Sequence, residues 1–304
     1  MSKVLIGVDK SGSYRVYLTI TTDVVEEARN IHSLTPLATA GLGRVLTGAG
    51  LMSVLLKGKR DRLTVIFKGD GPAKQILATG HADGRVKGYI SNPDVELPLT
   101  PEGKLDVGGS LGIGELTVIK DLGLKDPYMG SIALVSGEIA DDLTAYYFIS
   151  EQQNTSIALG VKVAKDRHVS AAGGMFVQML PGAEDGAIDN LEAMIKDMKP
   201  LTTLIEETMI ASGGKTGEGL LVDLMDRIFG GMNEEFRPEP LEYRDITLQC
   251  DCSKDRMAQA LLTIGKADMT EIIEEDGKAE LGCHFCGSKY EFNKDELNEL
   301  LKKM

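Results

Sequence analysis

Tryptophan is absent from this 304-residue chain, aromatic side chains make up only 5% of it, and there are four histidines without a recurring motif around them. No run approaches the ~18 apolar residues a membrane-spanning helix requires, so no membrane partner is expected. Met1-Ser2-Lys3 is not followed by a signal-peptide core or cleavage site, which leads us to expect a cytoplasmic protein. Positive charge is also scarce: 33 Lys and Arg stand against 46 Asp and Glu, a formal charge of −13. A phosphate-backbone ligand needs a basic face, so nucleic acid is not an expected partner. Cysteine is missing from everything before residue 250.

The four cysteines that are present form two close pairs, Cys250-Asp251-Cys252 and, after 30 intervening residues, Cys283-His284-Phe285-Cys286. Clustered thiols in a reducing compartment read as metal ligands or redox groups before structural disulfides. Two pairs brought together by folding supply the four sulfurs of a tetrahedral structural zinc, so one Zn²⁺ is expected on Cys250, Cys252, Cys283 and Cys286. His284 lies between two of them and is expected to be a non-ligand, because four thiolates suffice. His32, His81 and His168 have no partner motif. The C-x-C pair departs from the usual C-x₂₋₄-C spacing of structural zinc sites.

Ahead of the cysteines, the chain predicts a mixed α+β domain over 1–180. Tyr14–Thr21 alternates as a strand, and Thr35-Pro36 is a helix start with a capping hydroxyl and proline in the first turn. The helix it opens runs to about Lys57. It carries Gly41, Gly43, Gly48 and Gly50, each costing about 0.8–1 kcal/mol relative to alanine, which is tolerable mainly in a buried helix that neighbours approach closely. Arg62–Phe67, Lys74–Gly80 and Arg85–Ser91 are short β runs separated by turns, so an antiparallel sheet is expected. A Pro/Gly-rich passage leads to a strand at Glu115–Lys120. A helix over Ser136–Gln152 turns Ile139, Leu143, Tyr146 and Tyr147 inward, and strands at Ser156–Lys165 and Val169–Leu180 close the domain. Gly108–Gly114 lacks the order of a dinucleotide fingerprint, and Gly214-Lys215-Thr216 lacks the first P-loop glycine, that position being Met209.

Residues 181–232 form a helical linker. Ile188, Leu191, Ile195, Met198, Thr202, Ile205 and Met209 make an apolar stripe divided near Pro200, and Leu220, Leu221, Leu224, Met225, Ile228 and Phe229 make a second. Such methionine-containing faces suit a surface that is covered conditionally. Residues 233–304 form the zinc-binding module. Within it Phe236–Leu248 reads as a proline-punctuated connection, Ser253 caps a helix reaching Gly265, and Asn293 caps the last helix. So short a segment, with few large apolar side chains, depends on its metal, whose apparent folding contribution in small domains is about 10–16 kcal/mol. Thiolate is also the form oxidants attack, and oxidation of either pair removes two ligands. Spacing suits a disulfide in a turn at Cys283 and Cys286. Cys250 and Cys252 can bond only where the backbone bends.

Three features in order, the C-x-C and C-x-x-C pairs, Gly137-Glu138-Ile139-Ala140-Asp141-Asp142-Leu143 with Tyr146-Tyr147 and Ser150-Glu151-Gln152, and the helical middle, resemble the redox-regulated 33-kDa heat-shock chaperone family along the whole chain. The resemblance implies an ATP-independent holdase rather than an enzyme, inactive while reduced and zinc-bound. It further implies Cys250–Cys252 and Cys283–Cys286 disulfides on oxidation, unfolding of zinc module and linker, and active homodimers that bind unfolding client proteins. The competing reading is a thiol–disulfide oxidoreductase using Cys283 and Cys286. Against it, no helix directly follows the motif to activate a thiol.

Overall fold

The computed structural model describes residues 2–304. In chain order the elements are β1 (Ser2–Asp9), β2 (Tyr14–Ile20), α1 (Thr22–His32), α2 (Pro36–Ser53), β3 (Arg62–Gly69), β4 (Gln75–His81), β5 (Arg85–Ile90), α3 (Val107–Leu111), β6 (Gly114–Asp121), β7 (Tyr128–Ala133), α4 (Ile139–Ile149), β8 (Thr155–Val163) and β9 (Val169–Met179). Helices α5 (Asp185–Asp197), α6 (Leu201–Ala211) and α7 (Glu218–Phe229) follow, then β10 (Pro238–Leu248). The tail holds α8 (Lys254–Leu261), α9 (Lys266–Glu275), β11 (Lys278–Gly282), β12 (Lys289–Asn293) and α10 (Lys294–Leu301). The class is α+β, as expected. Two compact units divide the chain, Met1–Leu248 and Gln249–Met304.

A ten-stranded sheet of order β7-β6-β3-β4-β5-β10-β1-β2-β9-β8 organises the first unit. Every pairing is antiparallel except β10 with β5, which covers only Thr247↔Arg85 and Leu248↔Val86. Helix α2 is the centre of its core. Thr35 Oγ1 accepts from the Ala38 N–H at 3.3 Å, and every residue of the helix except Pro36 and Arg44 is buried. The glycines are there for contact: a Cβ on Gly43 would lie 2.6 Å from Val25 Cγ1 and 2.9 Å from Val161 Cγ2, and one on Gly50 would lie 2.8 Å from Ile246 Cδ1. The helix stops at Ser53, a turn earlier than its composition predicts.

The other face of β1, β2 and β9 carries a second apolar layer. Leu5, Tyr14, Val16, Leu18, Met175 and Val177 from the strands form one cluster with Leu191, Leu201, Ile205, Leu224, Met225 and Phe229 from α5, α6 and α7. The stripe predicted across residues 188–209 is therefore divided between two helices, with the break at Met198–Pro200. Its edges are wet, since Ile188 and Met209 are exposed. The predicted second stripe is buried in full on α7.

Residues 236–248 are not the connection that their prolines indicate. They contain β10, paired with β1 from Ser2↔Ile246 to Asp9↔Pro238. Pro238 opens the strand and Pro240 lies opposite Gly7, where the register shifts, so neither interrupts a regular ladder. Among the described residues no helix is long and apolar enough to cross a membrane.

Candidate metal centre

In the second unit, the Ser253 hydroxyl accepts from the Arg256 N–H at 3.3 Å and starts α8 directly after Cys252. The helix expected to reach Gly265 ends at Leu261, and after Gly265, at φ 99°, a further helix not foreseen from the sequence starts at Lys266. Strands β11 and β12 pair from Lys278↔Asn293 to Gly282↔Lys289, and their turn carries Cys283-His284-Phe285-Cys286. That turn is closed by Cys283 N–H donating to Ser288 O and Gly287 N–H donating to Cys283 O, both at 2.8 Å. Gly287 has φ 70°, a left-handed conformation that glycine adopts without steric cost. At the other end of the hairpin, Asn293 and Glu296 form a reciprocal capping box on α10. A small core of Leu261, Met269, Ile273, Phe292, Leu297 and Leu300 lies among these elements.

The fold brings all four predicted sulfurs together. Their Sγ atoms lie within 4.8 Å of one another, with Cys250–Cys283 at 3.7 Å and Cys252–Cys286 at 3.4 Å. Each of these close approaches joins one cysteine pair to the other. A tetrahedron with Zn–S bonds of about 2.3 Å puts its sulfurs about 3.8 Å apart, so the spacing fits a zinc ion. The thiols are free, Cys283 is buried and the other three are half-buried. His284 is exposed and is not among the grouped donors.

Electrostatics agree with the need for a cation. Burial pushes the Cys250 thiol up to about 12, helped by side-chain hydrogen bonds with Cys252 and Cys283 and opposed by the Cys252 N–H. Burial raises Cys283 as well. At Cys286 burial also opposes ionisation, but hydrogen bonds from the Ser288 hydroxyl and backbone N–H, with those to Cys252 and Cys283, outweigh it and bring the thiol to about 7. Burial thus opposes ionisation of Cys250 and Cys283, and a cation among the sulfurs would offset that cost.

Sequence reading missed two hydroxyls beside the sulfurs. Tyr290 Oη lies 3.1 Å from Cys252 Sγ, and Ser288 Oγ lies 3.2 Å from Cys286 Sγ. Their signal was the alternation after Gly287: in β12 Tyr290 and Phe292 turn toward the interior while Lys289 and Glu291 are exposed. The thiol–disulfide oxidoreductase reading gains nothing from the site, because Cys283–Cys286 sits between two strands and the next helix begins only at Lys294. Gly214–Thr216 connects α6 to α7, and Lys215 is paired with Asp223 at 2.9 Å.

Fold and site together define a class: a mixed α+β domain followed by a small four-thiol module with metal-binding geometry. The family model described as "Hsp33 protein" matches residues 2–293. The chain belongs to that family, a family of chaperones rather than enzymes. It is 43% identical over 302 residues to the 33 kDa chaperonin of Clostridioides difficile, covering 99% of each chain. To that of Alkaliphilus metalliredigens it is 40% identical over 304 residues, covering 100% of this chain and 99% of the relative. The crystal structure of the 33 kDa chaperonin (heat shock protein 33 homologue) from Thermotoga maritima is similar with a TM-score of 0.86 at 35% identity, over 99% of this chain and 98% of that one.

Proposed function

We propose that this chain is a redox-regulated, ATP-independent holdase of the cytoplasm that captures unfolding proteins during oxidative stress. Cys250, Cys252, Cys283 and Cys286 hold one Zn²⁺ in the reduced, inactive form, the ion joining the two pairs and keeping their sulfurs as thiolates. Oxidation removes two electrons from each pair, forms Cys250–Cys252 and Cys283–Cys286 disulfides, and leaves no ligand set for the metal. The zinc module (233–304) and the helical linker (181–232) then lose their structure, while the core domain (1–180) persists and homodimers form. Clients are unfolded polypeptides; neither nucleic acid nor membrane is a partner.

The observation that carries this reading is the grouping of all four sulfurs within 4.8 Å of one another, across both sequence pairs. A disulfide draws two sulfurs to about 2 Å and consumes the thiolates that would hold a metal among all four, so oxidation works against the folded module. The layered sheet gives the consequence. Lifting α5–α7 would uncover Leu5, Val16, Leu18, Met175 and Val177, an apolar surface suited to unfolded chains. The cysteines follow directly in sequence on β10, whose last two residues make its only pairs with β5. Fraying from the tail would therefore begin at the strand that α7 leads into.

Following zinc release, thiol count and suppression of client aggregation together during peroxide treatment at raised temperature tests the proposal. All three are expected to change in step. Loss of zinc and thiols with flat anti-aggregation activity would refute it.

A further inference from the structure

One sulfur of each sequence pair lies beside a side-chain hydroxyl. Cys252 has Tyr290 at 3.1 Å and Cys286 has Ser288 at 3.2 Å. Backbone N–H groups reach Cys250, from Cys252, and Cys283, from Phe285 and Cys286, and the Ser288 N–H reaches Cys286 beside its hydroxyl. In the second pair the buried position of Cys283 opposes this asymmetry, because its sulfur is harder to reach. In the first pair both cysteines are half-buried, so they differ in donor: a phenol beside Cys252 and a backbone N–H, the weaker acid, beside Cys250.

We propose that Tyr290 is a positioning residue of the redox switch: its hydroxyl restrains Cys252 and leaves Cys250 as the sulfur of that pair that meets oxidant first. The inference rests on the zinc-thiolate reading above. A metal-bound thiolate has no proton, so the phenol must donate. That bond occupies a sulfur lone pair and withdraws charge from it, and attack on an O–O bond uses such a lone pair. Cys250 thiolate attacks hydrogen peroxide, an S–O bond forms, the O–O bond breaks, and hydroxide leaves with Cys250 as sulfenic acid. Cys252 thiolate then attacks the Cys250 sulfur, forming S–S and expelling a second hydroxide. Two thiolates have given two electrons to one peroxide, and the two hydroxides are protonated to water by the buffer. Tyr290 stands on β12, so its bond also ties Cys252 to the hairpin that carries the other pair.

Tyr290→Phe keeps the ring and removes only the hydroxyl. In the full-length zinc-loaded protein, limiting iodoacetamide with site-resolved mass spectrometry reads each sulfur's nucleophilicity without forming disulfides. Wild type should label Cys250 ahead of Cys252. The variant should speed Cys252 by about 3- to 10-fold, the factor one hydrogen bond is worth, and quicken peroxide-driven zinc release. Ser288→Ala should raise labelling at Cys286 and leave Cys252 unchanged. Equal acceleration at all four cysteines would show mere loosening of the module and overturn the proposal, as would an unchanged pattern. Wild-type protein that carries no zinc would overturn the underlying reading; zinc-bearing protein with no Cys252 response overturns this inference alone.

Discussion

The Tyr14 hydroxyl donates a 2.6 Å hydrogen bond to the Phe236 carbonyl, 222 residues further along the chain. Strand β2 is thereby fastened to the segment that ends the helical layer, and the Tyr14 ring stacks on Phe229 of α7 with centroids 6.4 Å apart. Tyr14→Phe leaves a buried carbonyl without its donor, which costs about 1–3 kcal/mol. The variant should hold α5–α7 less firmly while still reduced. Binding of a hydrophobic dye, or suppression of aggregation without oxidant, should rise above wild type.

A tighter constraint sits at Gly43. Val25 and Val161 reach it from two different elements, and stiff β-branched side chains yield little. Gly43→Ala should lower the stability of the first unit by about 1–3 kcal/mol, the range for overpacking, and thermal or urea unfolding measures it. The tail's zinc content should not change.

Metal removal should act on the other unit. Its core of Leu261, Met269, Ile273, Phe292, Leu297 and Leu300 is small, and apparent zinc contributions of about 10–16 kcal/mol exceed what such a core supplies. Chelation in reducing buffer should make residues 249–304 sensitive to protease and leave the ten-stranded sheet intact. Cys250→Ser should do the same at lower chelator concentration.

Acid should weaken the first unit through Glu26. Hydrogen bonds from Arg29 chiefly, then from the Val169 N–H, overcome desolvation and hold this carboxyl at about 2, against an ordinary 4.5. Because the folded value is depressed, the stabilisation is fully present above about pH 4.5 and is lost as pH falls through 2. Glu26→Gln should flatten that part of the stability profile between those limits.

How much of this was legible beforehand follows from local signals. The Thr35-Pro36 cap, the β-rich runs with Gly and Asp turns, and the inward Ile139, Leu143, Tyr146 and Tyr147 of α4 all needed only neighbours in sequence, and all are found. Strand β1 was missed because it is buried on both faces between its partners and shows no alternation. Strand β10 was hidden by prolines that a strand start and a register shift accommodate. At the metal centre, the spacing of the cysteines named the donors. Their cross-pair proximity and the Tyr290 and Ser288 hydroxyls arise from the β11–β12 hairpin, which the sequence reading treated only as a turn.

Hydrogen exchange compared between reduced, zinc-loaded protein and protein oxidised by peroxide shows whether the metal holds the tail folded. Residues 249–304 and then 185–229 should lose protection, while α2 and the strands around it keep theirs. Retained protection across 249–304 after complete thiol oxidation and zinc loss would contradict that role of the metal.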